Sequence, residues 1–183
     1  MASDKNLVWI DLEMTGLRPE IDVIVEIATI ITDDQLNIIA EGPSLVIHQP
    51  EEKLAAMDEF VVKMHTKSGL IAKIRESAVS PEQAEQETLA FIMEHCNKGK
   101  ALMAGNSIWQ DRAFLYVHMP SILAFLDYRL IDVSSVKKLV QYWYPKNPNL
   151  QFKKPDNHRA LEDVQQSIEE LKHYRKHFFI NEN

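Results

Sequence analysis

Four carboxylates and one histidine stand where they could do chemistry: Asp11 and Glu13 in WIDLEMTG, Asp111 in GNSIWQD, His158 and Asp163 in HRALED. Gathered in space, oxygen donors of this kind make a site for hard divalent cations. Asp11 and Glu13 alternate with Val8, Ile10 and Leu12, and a strand sends alternate residues to opposite faces, so both carboxylates leave the same side. Two anions that close repel each other, and a cation between them removes the repulsion. A solvated outer strand face is the other reading of the pair, because charged side chains are mostly exposed.

The spacing predicts a helix over residues 107–118 with Ile108, Asp111 and Leu115 on one stripe. Asp111 then lies among core-facing residues, where an ionised carboxylate needs a proton, a basic partner or a metal. A first-turn Asp favoured by the helix dipole, with Ser107 as cap, fits the same residues. The last helix starts at about Arg159 and has Ala160, Val164, Ser167, Ile168 and Leu171 as its inner stripe, with Asp163 beside it. On a helix His158 and Asp163 would diverge by about 140°, so both reach one centre only with His158 in the loop before it. The preceding KKPDN, with Pro155, supports a mobile entry. A lone histidine is otherwise a surface residue or a satisfied core residue.

An Asp-x-Glu pair, a central Asp after GNS and an H-x4-D toward the C-terminus resemble the DEDDh exonuclease branch of the RNase H-like superfamily. WIDLEMTGL, VEIATIITD, EGPSLVIHQ, HTKSGL, GNSIWQD, YRLIDVS and HRALEDVQQSIEEL, in order along nearly the whole chain, resemble its oligoribonuclease family. The resemblance implies an α/β fold: an RNase H-like mixed sheet of about five strands, opening with an antiparallel meander and flanked by helices, as one exonuclease domain over 1–183. It implies that Asp11, Glu13, Asp111 and Asp163 hold two Mg2+ or Mn2+ ions per active site, with His158 as the general base. The implied reaction shortens very short RNA, dinucleotides above all, from the 3′ end and releases nucleoside 5′-monophosphates.

The same resemblance assigns substrate contacts to Leu17, Phe60, His65, Ser107, Tyr128, Arg129, Ser134 and Lys137. Leu17 serves as a wedge, Phe60 and Tyr128 as stacking surfaces for unpaired bases. Tyr128 and Arg129 come from the second subunit of a homodimer. Two positions depart from the family: Phe60 stands where bacterial members usually carry Trp, and Trp109, where a smaller or polar residue is expected, either compensates for it or faces solvent.

Composition suits a compact enzyme. At 183 residues the chain can bury about 70% of its unfolded surface, and its 45% hydrophobic residues can fill the core. Cys96, the single cysteine, excludes an intrachain disulfide and a cysteine-rich zinc site. The charged start MASDKN lacks an apolar signal region and no run is long enough to span a membrane, so cytoplasmic residence is expected. A net charge of −7 from 20 basic and 27 acidic residues, with no polybasic run, favours a short oligonucleotide over a long polyanion.

Three strands come first, with Asp33 and Asp34 turning the second into the third. Helical spacing over 53–77 is interrupted at Ser68 and Gly69, and Pro81 opens a helix that runs to about Cys96. ALMAG and RLIDV read as short strands among the later helices, which makes the fold α/β. His173 and His177 form a solvated basic face sooner than a metal site. Glu26, inside VIVEIATII, reads as a structural pairing partner or an exposed strand end sooner than as a salt-bridge partner near the site. Tyr142, Trp143 and Tyr144 suit core or dimer packing. Two other functions fit the fold: a proofreading-type DNA exonuclease, and a non-catalytic nucleotide-binding module that the complete set of site residues disfavours.

Overall fold

The computed structural model describes residues 2–153 and 159–179. Its apolar runs become β1 (Leu7–Met14), β2 (Ile24–Thr32) and β3 (Ile38–Val46), paired as the expected antiparallel meander. Asp33 fastens the second turn by accepting the N–H groups of Gln35 and Asn37, each at 2.8 Å. On the other side of β1, β4 (Leu102–Gly105) runs parallel to it, and β5 (Leu130–Asp132) runs parallel to β4. The result is the expected mixed five-stranded sheet, in the order β3-β2-β1-β4-β5.

The helical stretch after β3 is broken twice. Helix α1 (Glu51–Ala55) ends before Asp58, whose carboxylate caps α2 (Glu59–Lys67) by accepting the Val61 N–H. Gly69, at φ 71°, makes the second break before α3 (Leu70–Glu76). Helix α4 (Pro81–His95) starts on a Ser80 cap with Pro81 in its first turn, as expected. Helix α5 (Trp109–His118) is followed at once by a short α6 (Pro120–Phe125), which sequence reading did not anticipate. Helix α7 (Val133–Trp143) follows β5, and α8 (Ala160–Phe178) ends the described fold.

Helices cover both faces of the sheet. Val8, Ile10, Leu12, Ile27 and Met103 pack with Ala84 and Ile92 of α4, Phe114 and Leu115 of α5 and Ile122 of α6. The opposite face, with Trp9, Ala28, Ile30 and Ala104, packs on Val140 of α7 and on Ala160, Val164, Ile168 and Tyr174 of α8. Burying each such large side chain contributes about 1.5–3 kcal/mol. Because Trp9 is wholly buried on the face that carries Asp11 and Glu13, that face is an interior surface and the solvated-strand reading is wrong. Among the described residues, no helix is long and apolar enough to cross a membrane.

Candidate active site

Carboxylate oxygens of Asp11, Glu13 and Asp163 lie within 4.8 Å of one another. Strand β1 supplies the first two through its alternation, and α8 lays Asp163 against them from its first turn. The start of α8 is fixed by Glu26, which sits opposite Glu13 in the register of β1 and β2. Glu26 receives Arg159 through Nε at 3.1 Å and Nη2 at 2.6 Å, and the Ala160 N–H at 3.3 Å. Asp111, on α5, accepts the Leu12 N–H through Oδ1 at 3.0 Å, so it is stitched to the backbone between Asp11 and Glu13. Asp111 is buried beside Ile108 and Leu115, as the stripe predicted.

Ser107 does not cap α5. It has φ 51°, a left-handed conformation uncommon for a non-glycine residue, and its N–H goes to Asp132 Oδ1 at 2.8 Å and Ser134 Oγ at 3.0 Å. A cap needs its side chain aimed at the helix, and here the neighbouring strand end holds the residue instead.

Desolvation and mutual repulsion push the acidic groups upward. Asp11 is raised well above the usual carboxylate range by burial, then by the charges of Asp111, Asp163 and Glu13. Glu13 is pushed up to about 8 by burial, then by Asp163 and Glu26, against a lowering pull from Arg159. Burial lifts Asp111 to about 7, against the Leu12 N–H. Such a cluster cannot carry all its negative charge without cations, and its donors are the hard oxygens that Mg2+ or Mn2+ takes.

A cleft of about 630 Å³ opens beside Glu13, with Leu17 and Phe60 on its rim, 72% and 73% exposed. His65 is wholly buried behind Glu13, its Nε2 2.9 Å from the Met14 carbonyl and its Nδ1 3.8 Å from Glu13 Oε2. Ser107 and Ser134 stand on the β4–β5 side with their hydroxyl oxygens 3.1 Å apart. Lys137 turns its amine inward, 3.3 Å from the buried Glu170. Tyr128 and Arg129 stack on each other, 4.4 Å from guanidinium carbon to ring centre, just before β5 and so at the end of that strand away from Ser107. His158 and the KKPDN entry, apart from Lys153, lie outside the described residues.

An Exonuclease family profile matches residues 8–171. Over 177 residues the chain is 54% identical to an oligoribonuclease of Vibrio cholerae serotype O1, covering 97% of each protein. It is 55% identical to that of Ruthia magnifica over 181 residues, 99% of each. The chain belongs to the oligoribonuclease family of exonucleases. It is thus a nuclease of the hydrolase class. The zinc-bound complex of Escherichia coli exonuclease I with single-stranded DNA has a similar fold, with a TM-score of 0.74 at 14% identity over 95% of this chain. This chain spans 41% of that exonuclease, so the shared part is the nuclease fold.

The structure brings Asp11, Glu13 and Asp163 together as the sequence suggested, while most of what holds them left no signal in the sequence. Glu26 proves to be a structural partner, 1% exposed, and Arg159 is the cation it takes. The charge inside VIVEIATII was the available signal. Asn106, Glu170 and Tyr174 form a second polar cluster behind Ser107, and nothing in their spacing announced it. Trp109 is 59% exposed and does not line the cleft of Leu17 and Phe60, so it does not replace the missing indole there. Tyr142 and Trp143, 74% and 66% exposed, are not core residues, while Tyr144 packs on Phe178. His173 is engaged with the Asn149 carbonyl at 2.7 Å.

Proposed function

We propose that this chain is a metal-dependent 3′-to-5′ exoribonuclease that cuts very short RNA, dinucleotides above all, into nucleoside 5′-monophosphates. It works as a single exonuclease domain in a cytoplasmic homodimer. The convergence of Asp11, Glu13 and Asp163 beside a nucleotide-sized cleft, in a chain that shares more than half its residues with oligoribonucleases, carries the reading.

Asp11, Glu13 and Asp163 would hold one Mg2+ or Mn2+ ion, and Asp11 with Asp111 a second. Such ions, when bound, supply positive charge to the scissile phosphate and acidify the attacking water. An imidazole nitrogen of His158 takes the proton of that water and returns it later, a task suited to a group that titrates near neutrality. Leu17 and Phe60 offer apolar surfaces to the base of the 3′ nucleotide, Ser107 offers a donor toward the 5′ part, and Ser134 and Lys137 line that side with it. His65, behind Glu13, braces the carboxylate that flanks the 3′ nucleotide.

Tyr128 and Arg129 complete the pocket of a second subunit. Their place before β5 supports this, because Asp132, at the site end of the strand, lies roughly 13 Å beyond Tyr128 and roughly 10 Å beyond Arg129 at about 3.3 Å per residue.

The test is a ladder of RNA lengths from the dinucleotide upward, assayed in Mg2+, Mn2+, Ca2+ and chelator, with long single-stranded DNA alongside. Fastest release of mononucleotide from the shortest RNA, in Mg2+ or Mn2+ but not Ca2+, is expected. Metal-independent release, or preference for long DNA, contradicts the reading. Mixing inactive Asp111→Asn with inactive Arg129→Ala should restore activity in hybrid dimers.

A further inference from the structure

Glu170 of α8 is wholly buried, on the far side of Asn106 from Ser107. A buried carboxylate adds little to stability that an apolar side chain of its size would not, so its partners are the informative part. It accepts the Tyr174 hydroxyl at 2.8 Å, the Lys137 amine at 3.3 Å and the Asn106 side-chain amide nitrogen at 3.1 Å. A carboxylate only accepts hydrogen bonds, and Ser167, which gives its own proton to the Asp163 carbonyl at 2.8 Å, accepts the same nitrogen at 2.7 Å, so Glu170 and Ser167 together decide which way round the Asn106 amide lies. The Asn106 nitrogen faces Glu170 and Ser167, and its oxygen faces Ser134.

That choice propagates outward. The Ser134 hydroxyl gives its proton to Asn106 Oδ1 at 3.1 Å, and its oxygen accepts the Ser107 N–H at 3.0 Å. With the Ser134 proton committed inward, the Ser107 hydroxyl becomes the donor of the pair and can turn its proton to an acceptor in front of it. A wall that presents a donor suits phosphate oxygen. Ser107 is also the residue held at φ 51°, so the same bonds fix its backbone.

We propose that Glu170 is a positioning residue for substrate binding: through Asn106 and Ser134 it sets the hydrogen-bond polarity of the wall that receives the 5′ phosphate of a short RNA. The inference rests on the function proposed above. Glu170 touches no substrate, and its influence on turnover is indirect.

The experiment compares wild type, Glu170→Gln, Ser107→Ala, their double mutant and the exposed control Glu169→Gln on a 5′-phosphorylated adenine dinucleotide and its unphosphorylated counterpart. Glu170→Gln removes the charged one of the two acceptors that hold the Asn106 nitrogen, leaving Ser167 alone to keep the amide from reversing. It should raise KM for the phosphorylated dinucleotide by about tenfold, the scale of one lost hydrogen bond, with kcat within about twofold. Mn2+ affinity by calorimetry stays unchanged, the KM effect vanishes in the Ser107→Ala background, and Glu169→Gln behaves as wild type. If Glu170→Gln does not fold, Asn106→Ala cuts the same chain while leaving Glu170 its Tyr174 and Lys137 partners, and it should give the same KM rise. An unchanged KM in the folded variant, an equal effect with and without Ser107, or a fall in kcat and Mn2+ affinity in place of the KM rise overturns the inference. Wild-type protein that releases no nucleotide from either dinucleotide sinks the functional reading instead.

Discussion

The two flanks of the acidic cluster are built on opposite plans. On the β2 side, Leu17 and Phe60 project into solvent from loop and helix positions whose backbone is tied down beneath them. Asp22 takes the Arg18 N–H at 2.9 Å, the Gln110 side chain holds the Leu17 carbonyl at 3.0 Å, and Asp58 caps the helix that carries Phe60. On the β4–β5 side, Ser107 and Ser134 are bound to each other and to the interior by a continuous hydrogen-bond chain. An apolar wall of this kind adapts to any base, because every base has a flat face, whereas a polar wall fixes geometry and depends on every link in it. Under the proposed function, that contrast draws binding strength and register from different sides of one site.

Removing the floor common to both walls breaks the comparison most completely. Asp111→Asn keeps the bond to the Leu12 N–H but loses a charge, and turnover should fall by about a hundredfold or more with the fold intact, measured as mononucleotide release beside circular dichroism. Near-normal rates would remove Asp111 from the site. The unneutralised floor also has a signature in stability. Because Glu13 is raised to about 8 and Asp111 to about 7, the folded metal-free protein retains protons that the unfolded chain loses in the ordinary carboxylate range. Its stability must then fall as pH rises from that range toward 8, with Tm lower by about 5 °C in chelator. Mn2+ should abolish the fall and release protons on binding. A Tm that climbs over that window in chelator would show the carboxylates neutralised by protein cations.

Smaller changes separate the walls. Phe60→Ala should raise KM by about tenfold for every dinucleotide whatever its bases, and Phe60→Trp should lower it, since stacking is sequence-tolerant. A base-dependent loss would mean that Phe60 reads base identity. Ser134→Ala should raise KM by about fivefold, and only for substrates with a 5′ phosphate. Equal losses with and without the phosphate would move the 5′ end elsewhere.

The acidic residues were legible because each sits in a short periodic pattern: alternation for Asp11 and Glu13, a helical stripe for Asp111, a first turn for Asp163. Their supports were not, because each joins distant elements. Glu26 and Arg159 meet only when α8 crosses β2, and Asn106 meets Glu170 only when β4 is placed beside β1. The inner stripe of α8 was read too narrowly. The helix packs on α7 as well as the sheet, so Glu170 and Tyr174 are also buried. Of the core and dimer readings of Tyr142 and Trp143 the core one fails, since residue type does not say which side of α7 faces water. The opening meander and the α/β class followed from the order of apolar runs, and the mixed sheet from the family resemblance, whereas α6, six residues after Met119, left no periodicity to detect.

The salt link between Glu26 and Arg159 has a consequence for synthesis. A ribosome delivers Glu26 133 residues ahead of Arg159, so β1 and β2 exist well before the helix that closes the acidic cluster. A nascent chain therefore displays Asp11 and Glu13 without Asp163, and the acidic cluster stays incomplete until α8 has emerged and docked on β2.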